Sequence, residues 1–250
     1  MSENILNYNA ATDLLKNKVI LVTGAGDGIG KVAATTYAAH GATVILLGRT
    51  VAKLEATYDA IEAAGHPQPA IFDLDLLKAD SEDYQNLAGS IGEEFGQLDG
   101  LLHNASILGE QRPIESIKPQ QWQDIMQINV NAQMLLTQAV LPLMNEPANA
   151  SIIFTSSGVG RKGRAFWGAY AVSKFATEGL MQVLADELEN TTNIRVNSLN
   201  PGATRTAMRA AAYPGENPNT LKTAAELMPV YLYLMGDESI GVNGQALNAQ

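Results

Sequence analysis

The chain has 250 residues, no cysteine and a formal net charge of −10, with 46% hydrophobic and 17% charged residues. That composition fills a globular core, excludes disulfides and thiolate metal sites, and makes nucleic acid a poor partner, because nothing would neutralise a run of phosphates. His40, His66 and His103 lie far apart without ligand spacing, so no metal is expected. The opening MSENILNYNAATDLL lacks a basic cluster followed by an apolar core, and the longest apolar run, residues 227–235, is interrupted by Pro229. Neither a signal peptide nor a membrane span is expected, and a cytoplasmic location is the simpler expectation.

In chain order, residues 18–23 (KVILVT) predict a buried strand and 28–40 a helix closed by Gly41. Residues 42–47 predict the next strand, 51–64 a helix closed by Gly65, 70–74 a third strand, 81–95 a helix and 98–103 a fourth strand. A long helix over 120–144, a strand over 151–155, a second long helix over 168–189 and a strand over 194–199 follow. Such alternation implies an α/β fold, a doubly wound parallel sheet with helices on both faces, because parallel neighbours need crossover connections. No linker-like shift divides residues 1–250, which predicts a single domain. Residues 204–221, broken by Tyr213-Pro214-Gly215 and Asn217-Pro218, are expected to be a substrate lid; the plainer alternative is a surface excursion.

Between the first strand and first helix stands Thr23-Gly24-Ala25-Gly26-Asp27-Gly28-Ile29-Gly30. A turn there must be tight and let backbone approach a pyrophosphate at the helix N-terminus. The strict G-x-G-x-x-G pattern fails at Ile29; T-G-x-x-x-G-x-G fits, through Gly24, Gly28 and Gly30. Tyr170 and Lys174 are one helical turn apart, so a phenol and an ammonium share a face, and the cation is expected to lower the phenol pKa. Ser157 ends the fifth strand, where its hydroxyl can hydrogen-bond a substrate oxygen. Y-x-x-x-K alone is usually a surface helix; the glycine turn and the serine in the right order give it weight.

These motifs, with His103-Asn104-Ala105-Ser106 and Pro201-Gly202, resemble the short-chain dehydrogenase/reductase family in its compact single-domain branch, over about residues 14–247. VILLGRT, WGAYAVSKFATEG and NPGATRTAMRA are most similar to its YciK group of bacterial oxidoreductases. The resemblance implies a Rossmann-type sheet and a catalytic set of Asn129, Ser157, Tyr170 and Lys174. Tyr170 would be the general acid in reduction and base in oxidation, and Lys174 would lower its pKa and bind the nicotinamide ribose. Ser157 would hold the substrate oxygen, and Asn129 would help hold a relay water, with Asn131 as competitor. Cofactor contacts implied are Gly24, Gly28, Ile29, Gly30, Arg49, Asp75 (with Asp73 as competitor), Asn104, Tyr170, Lys174, Pro201, Gly202 and Thr206, with Ala203 lending backbone. His103 and Ser106 depart from the family's N-N-A-G, and no chemistry is assigned to the histidine. The terminus also lacks the usual glycine pair.

Gly48 stands where NAD-binding relatives carry an acid, and Arg49 follows, so the expected cofactor is NADP; Asp27 in the glycine turn argues the other way. The expected activity is hydride transfer between NADP(H) and the carbonyl or alcohol carbon of a small, apolar or aromatic substrate. The resemblance places the pocket walls at Ile107, Leu108, Val159, Trp167, Met208 and Tyr213. A non-catalytic dinucleotide sensor on the same fold is the alternative, and the complete catalytic set disfavours it. A sugar-nucleotide epimerase would bring a different glycine pattern and a larger substrate domain. The resemblance implies a homo-oligomer, a tetramer or dimer, paired through the two long helices. Their Met134, Leu135, Phe175, Leu180, Met181 and Leu184 add apolar surface; the plainer alternative is that these residues all face the sheet. The basic run Arg161-Lys162-Gly163-Arg164 is either a lure for an anionic substrate group or a solvated loop or subunit contact.

Overall fold

The structure, a computed structural model, describes residues 3–250, so the expectation about a leader segment falls partly outside the described residues. After a short helix α1 (Glu3–Leu6) come β1 (Val19–Thr23), α2 (Gly28–Ala39), β2 (Thr43–Gly48), α3 (Val51–Ala63), β3 (Ala70–Asp73), α4 (Ser81–Phe95) and β4 (Gly100–His103). The second half holds α5 (Pro119–Met126), α6 (Ala132–Met144), β5 (Ala150–Thr155), α7 (Gly168–Leu188), β6 (Ile194–Asn200), α8 (Ala207–Ala212), α9 (Met228–Met235) and β7 (Ala246–Asn248). The strands form one sheet in the order β3-β2-β1-β4-β5-β6-β7, each pairing parallel to its neighbours. This is the doubly wound Rossmann-type sheet, extended by β7, and its strand order reverses between β1 and β4.

Strand residues alternate between two cores. Ile20 and Val22 of β1 pack with Tyr37 of α2 and Tyr231 and Leu234 of α9, while Leu21 packs with Leu87 of α4, Leu136 of α6 and Met181 of α7. Burial on both faces explains why the inner strands read as continuous apolar runs rather than alternating ones. α4 begins in a reciprocal capping box between Asp80 and Asp83 and stops at Gly96, whose φ of 73° suits a left-handed terminus.

Three expectations need correction. The helix foreseen over 120–144 is α5 and α6 joined by a π-helical turn over Gln127–Asn131, which packs one additional residue into the winding. The segment 204–221 is not uniformly irregular: it holds α8, closed at its base by the amide of Arg205 on the carbonyl of Lys222 (2.8 Å). Of the six apolar residues chosen on the long helices, Met181 and Leu184 face the sheet, and Leu135 and Leu180 are part-buried against the same core. Met134 and Phe175 are exposed, together with Val172 and Val183.

Candidate active site

A cavity of about 450 Å³ lies along the C-terminal ends of the strands, where β1 and β4 part. Its floor is the glycine turn. Gly24 and Gly28 have φ of 69° and 53°, and a Cβ on Gly30 would collide with the Gly24 carbonyl and the Asn104 side chain. No larger residue permits that approach. Asn104 braces the turn, its amide donating to Thr23 Oγ1 (2.9 Å) and its Nδ2 to the Thr23 carbonyl (3.3 Å). Across the cavity, Thr206 caps α8 by accepting from the Arg209 amide (3.1 Å), and its methyl would lie 3.7 Å from a Cβ on Gly28.

Ser157, Tyr170 and Lys174 meet at the inner end of this cavity. Ser157 starts a tight turn after β5, while the first turns of α7 carry the phenol and the ammonium. Lys174 Nζ donates to the Thr155 carbonyl (2.8 Å) and sits 5.6 Å from the Tyr170 ring centre. Burial lowers the Lys174 pKa to about 8, and the neighbouring Glu178 carboxylate works against that fall. Tyr170 runs contrary to expectation: burial raises its pKa, with the Ser106 and Ser157 hydroxyls opposing the rise. Spacing alone placed a cation nearby but gave no measure of desolvation, which prevails here.

Glu178 is itself buried. It accepts from Ser156 Oγ (2.5 Å), Ser198 Oγ (2.6 Å) and Arg161 Nε (3.0 Å). Arg161 also donates to Asn248 Oδ1 and the Leu247 carbonyl, both at 2.8 Å. It therefore stitches β7 to α7 and is not available to attract a substrate. Arg164 points elsewhere, donating to the Tyr213 hydroxyl (2.6 Å).

Asn129 lies on the π turn, fully buried, with Oδ1 accepting from the Ile107 amide (2.9 Å) and Nδ2 donating to the Ile107 carbonyl and Ser173 Oγ, both at 3.0 Å. Asn131, its competitor in the sequence, is exposed and bonds back to Gln127 (3.0 Å). Asp75 lines the cavity and Asp73 does not. His103 is buried, stacks on Phe154 at 4.7 Å, bonds Thr137 Oγ1 (2.8 Å), and burial holds its pKa down to about 3. It is a neutral structural ring.

Gly24, Gly26, Asp27, Gly28 and Ile29 of the glycine turn, with Arg49, Pro201 and Gly202, also line the cavity, as do Ile107, Leu108, Trp167 and Met208; Gly30 does not, and packs beneath the turn against Gly24 and Asn104. Val159 and Tyr213 do not line it either. Tyr213 packs outside, 5.9 Å from Trp167 and under the Arg209 guanidinium at 3.8 Å, while Arg209 is held by both oxygens of Glu216 at 2.6 Å. Sequence reasoning missed Lys53, one turn after Arg49 at the outer rim, paired with Asp27 (2.5 Å). It also assigned nothing to Ser106.

A doubly wound sheet with a glycine turn at its switch point and a Ser-Tyr-Lys group beside it defines an oxidoreductase of the dinucleotide-binding class. The chain belongs to the short chain dehydrogenase family, whose sequence pattern matches residues 18–217. It is 55% identical over 245 residues to the oxidoreductase YciK of Escherichia coli K12, covering 98% of this chain and 96% of that protein. A solved short chain dehydrogenase from Pseudomonas syringae superposes with a TM-score of 0.94 at 59% identity, over 97% of this chain and 99% of that one. Another, from Escherichia coli CFT073 and complexed with NADPH, gives a TM-score of 0.94 at 56% identity, over 96% of this chain and 100% of that one.

Proposed function

We propose that this chain moves a hydride between NADP(H) and the carbonyl or alcohol carbon of a small, apolar or aromatic substrate. The observation that carries the reading is the convergence of Ser157, Tyr170 and Lys174 on the cavity that also receives the glycine turn. The cavity fits the cofactor: the glycine turn gives the close backbone approach a pyrophosphate needs, and Arg49 stands at the outer rim with no acid at Gly48. NADPH, bound in the E. coli CFT073 relative, supports the same choice. Bound there, the nicotinamide supplies the hydride. Cofactor contacts are assigned to Gly24, Gly28, Ile29, Gly30, Arg49, Asp75, Asn104, Tyr170, Lys174, Pro201, Gly202 and Thr206.

In reduction the Tyr170 hydroxyl gives its proton to the substrate oxygen, and in oxidation the phenolate takes it back. Ser157 donates a hydrogen bond to that oxygen, and Lys174 stabilises the phenolate. Asn129 has its side chain committed to Ile107 and Ser173, so any part in a water relay falls to its main-chain carbonyl. Ile107, Leu108, Trp167 and Met208 give the substrate end its apolar and aromatic character. Residues 204–221 act as the lid, held through the Arg209–Glu216 pair. Met134, Val172, Phe175 and Val183, exposed on α6 and α7, support a homo-oligomer. No described helix is long and apolar enough to cross a membrane. With the cysteine-free composition, this suits a cytoplasmic enzyme.

The test is titration of NADPH and NADH into the parent protein, followed by a carbonyl and alcohol panel monitored by nicotinamide absorbance. NADPH should bind tighter, and ketones or aldehydes should be turned over. Equal or tighter NADH binding overturns the cofactor assignment; tight NADPH binding without turnover of any carbonyl or alcohol favours the sensor.

A further inference from the structure

Ser106 places a hydroxyl beside the reacting phenol, and its backbone is fixed from both sides. The amides of Asn104 and Ala105 both donate to Thr23 Oγ1, at 2.9 and 3.0 Å. On the other side the amide and carbonyl of Ile107 are both held by the Asn129 side chain, at 2.9 and 3.0 Å. A residue between two such clamps has little freedom to move away. Its Oγ is buried, lines the cavity with Ser157 and Tyr170, and makes no well-formed hydrogen bond within the protein. Folds rarely keep a buried hydroxyl without a partner, so such a group points to one that forms in the working state.

We propose that Ser106 is a further catalytic residue, its hydroxyl donating a hydrogen bond to the Tyr170 oxygen when that oxygen is the anion. The proposal rests on the reading of Tyr170 as the proton-transfer group. In oxidation the proton of the substrate hydroxyl passes to Tyr170, and Ser106 keeps its own proton throughout. Burial raises the Tyr170 pKa, and the Ser106 hydroxyl opposes part of that rise. Ser157, the other hydroxyl that opposes the rise in the Tyr170 pKa, is assigned to the substrate oxygen, and Lys174 acts on the phenolate through its charge. On α7, Lys174 Nζ is engaged by the Thr155 carbonyl, and Glu178 lies one turn further along. On β4, His103 is neutral, with a pKa of about 3. On the lid side Trp167 packs on Tyr170, while Arg164 and Arg209 both go to Tyr213.

The experiment needs no known substrate. Ultraviolet titration of the NADP-bound protein, with the Tyr170→Phe titration subtracted, isolates ionisation of Tyr170 from the other tyrosines. The same subtraction is made for Ser106→Ala and Ser106→Thr, each paired with its own Tyr170→Phe double variant. Thermal melting shows that each variant is folded. Loss of the donor should raise the Tyr170 midpoint by about one pH unit, the difference a hydrogen bond to a charged group makes. Ser106→Thr, which keeps a hydroxyl, should restore the parent midpoint. An unchanged midpoint in Ser106→Ala overturns the proposal, as does a Thr variant that behaves like Ala. Failure of the underlying reading looks different: Tyr170→Phe would retain turnover on the carbonyl panel, whatever the midpoints show.

Discussion

Tyr170 and Lys174 at the inner end of the cavity, and His103 on β4, are nearly sealed from water, whereas at the outer rim Arg49, Asp27 and Lys53 stand in solvent. Burial dominates within: it raises the phenol, lowers the Lys174 ammonium to about 8 and His103 to about 3. Outside, charge meets charge through water; the Lys53 hydrogen bond lowers the Asp27 pKa, although both side chains are more than half exposed. The same kinds of group therefore serve different purposes. A sealed group can have its proton affinity set for chemistry, while an exposed one contributes a modest, salt-screened attraction to a ligand.

Tyr170→Phe should show the largest effect. Turnover should fall by about 10²–10⁴-fold, the usual worth of general acid–base catalysis, with NADPH affinity little changed. Stopped turnover assays and cofactor titration measure the two quantities, and substantial residual turnover would break the inner half of the comparison. Next comes Arg161→Ala, which leaves the Glu178 carboxylate with only its two serine donors in a buried place. Unfolding in urea should register a loss of about 3 kcal/mol, the cost of stranding a buried charge. A loss near zero would mean that Arg161 is a surface residue after all.

At the rim, Arg49→Ala should weaken NADPH by about 1.5–3 kcal/mol, and the loss should shrink at high salt. Gly48→Asp should reverse the cofactor preference. A full NADPH preference in Arg49→Ala would remove that residue from phosphate recognition.

Within the sheet, His103 binds protons more readily in the unfolded chain (near its ordinary 6.5) than in the fold (about 3). Its contribution is therefore present above pH 6.5 and lost as the pH falls toward 3. Urea melts at pH 7 and pH 5 should differ by about 2 kcal/mol through this group, and His103→Gln should flatten that slope. Parallel slopes in parent and variant would refute it. Smallest of all, Asp27→Asn should improve NADPH binding by less than about 1 kcal/mol, since the charge removed is exposed and already paired with Lys53. Asp27 caps α2 by accepting from the Gly28 amide (2.7 Å), and weaker binding in that variant would show that this cap assists the cofactor.

The parts legible from the sequence were those whose signal is local. The glycine turn, the Tyr170–Lys174 spacing and the apolar strand runs each fit within a few residues, and the family likeness set them in order. α9 escaped notice because Met228–Met235 is apolar on nearly every side, and a helix buried all round has no polar face to give it a period. β7 spans only Ala246–Asn248, too short to alternate visibly. Arg161 was misread because its partners, Glu178, Leu247 and Asn248, are far away along the chain. Asn129 was singled out by likeness alone; its clamp on Ile107 depends on a change of winding that no residue pattern announced.

That change of winding puts α5 and α6 out of phase with each other. Each residue of an ordinary α-helix advances the side-chain direction by about 100°. The additional residue in Gln127–Asn131 therefore offsets every position after it relative to every position before it. The segment works as a built-in frame shift, and it is reversible by a single excision. Deleting one residue there would let the helix wind normally, with the apolar stripes of α5 and α6 brought into one phase, and would swing Asn129 away from Ile107. Hydrogen exchange at the Ile107 amide, now held by Asn129 Oδ1, would report the slip directly, and continued protection would show that the bulge had moved along the helix instead of vanishing.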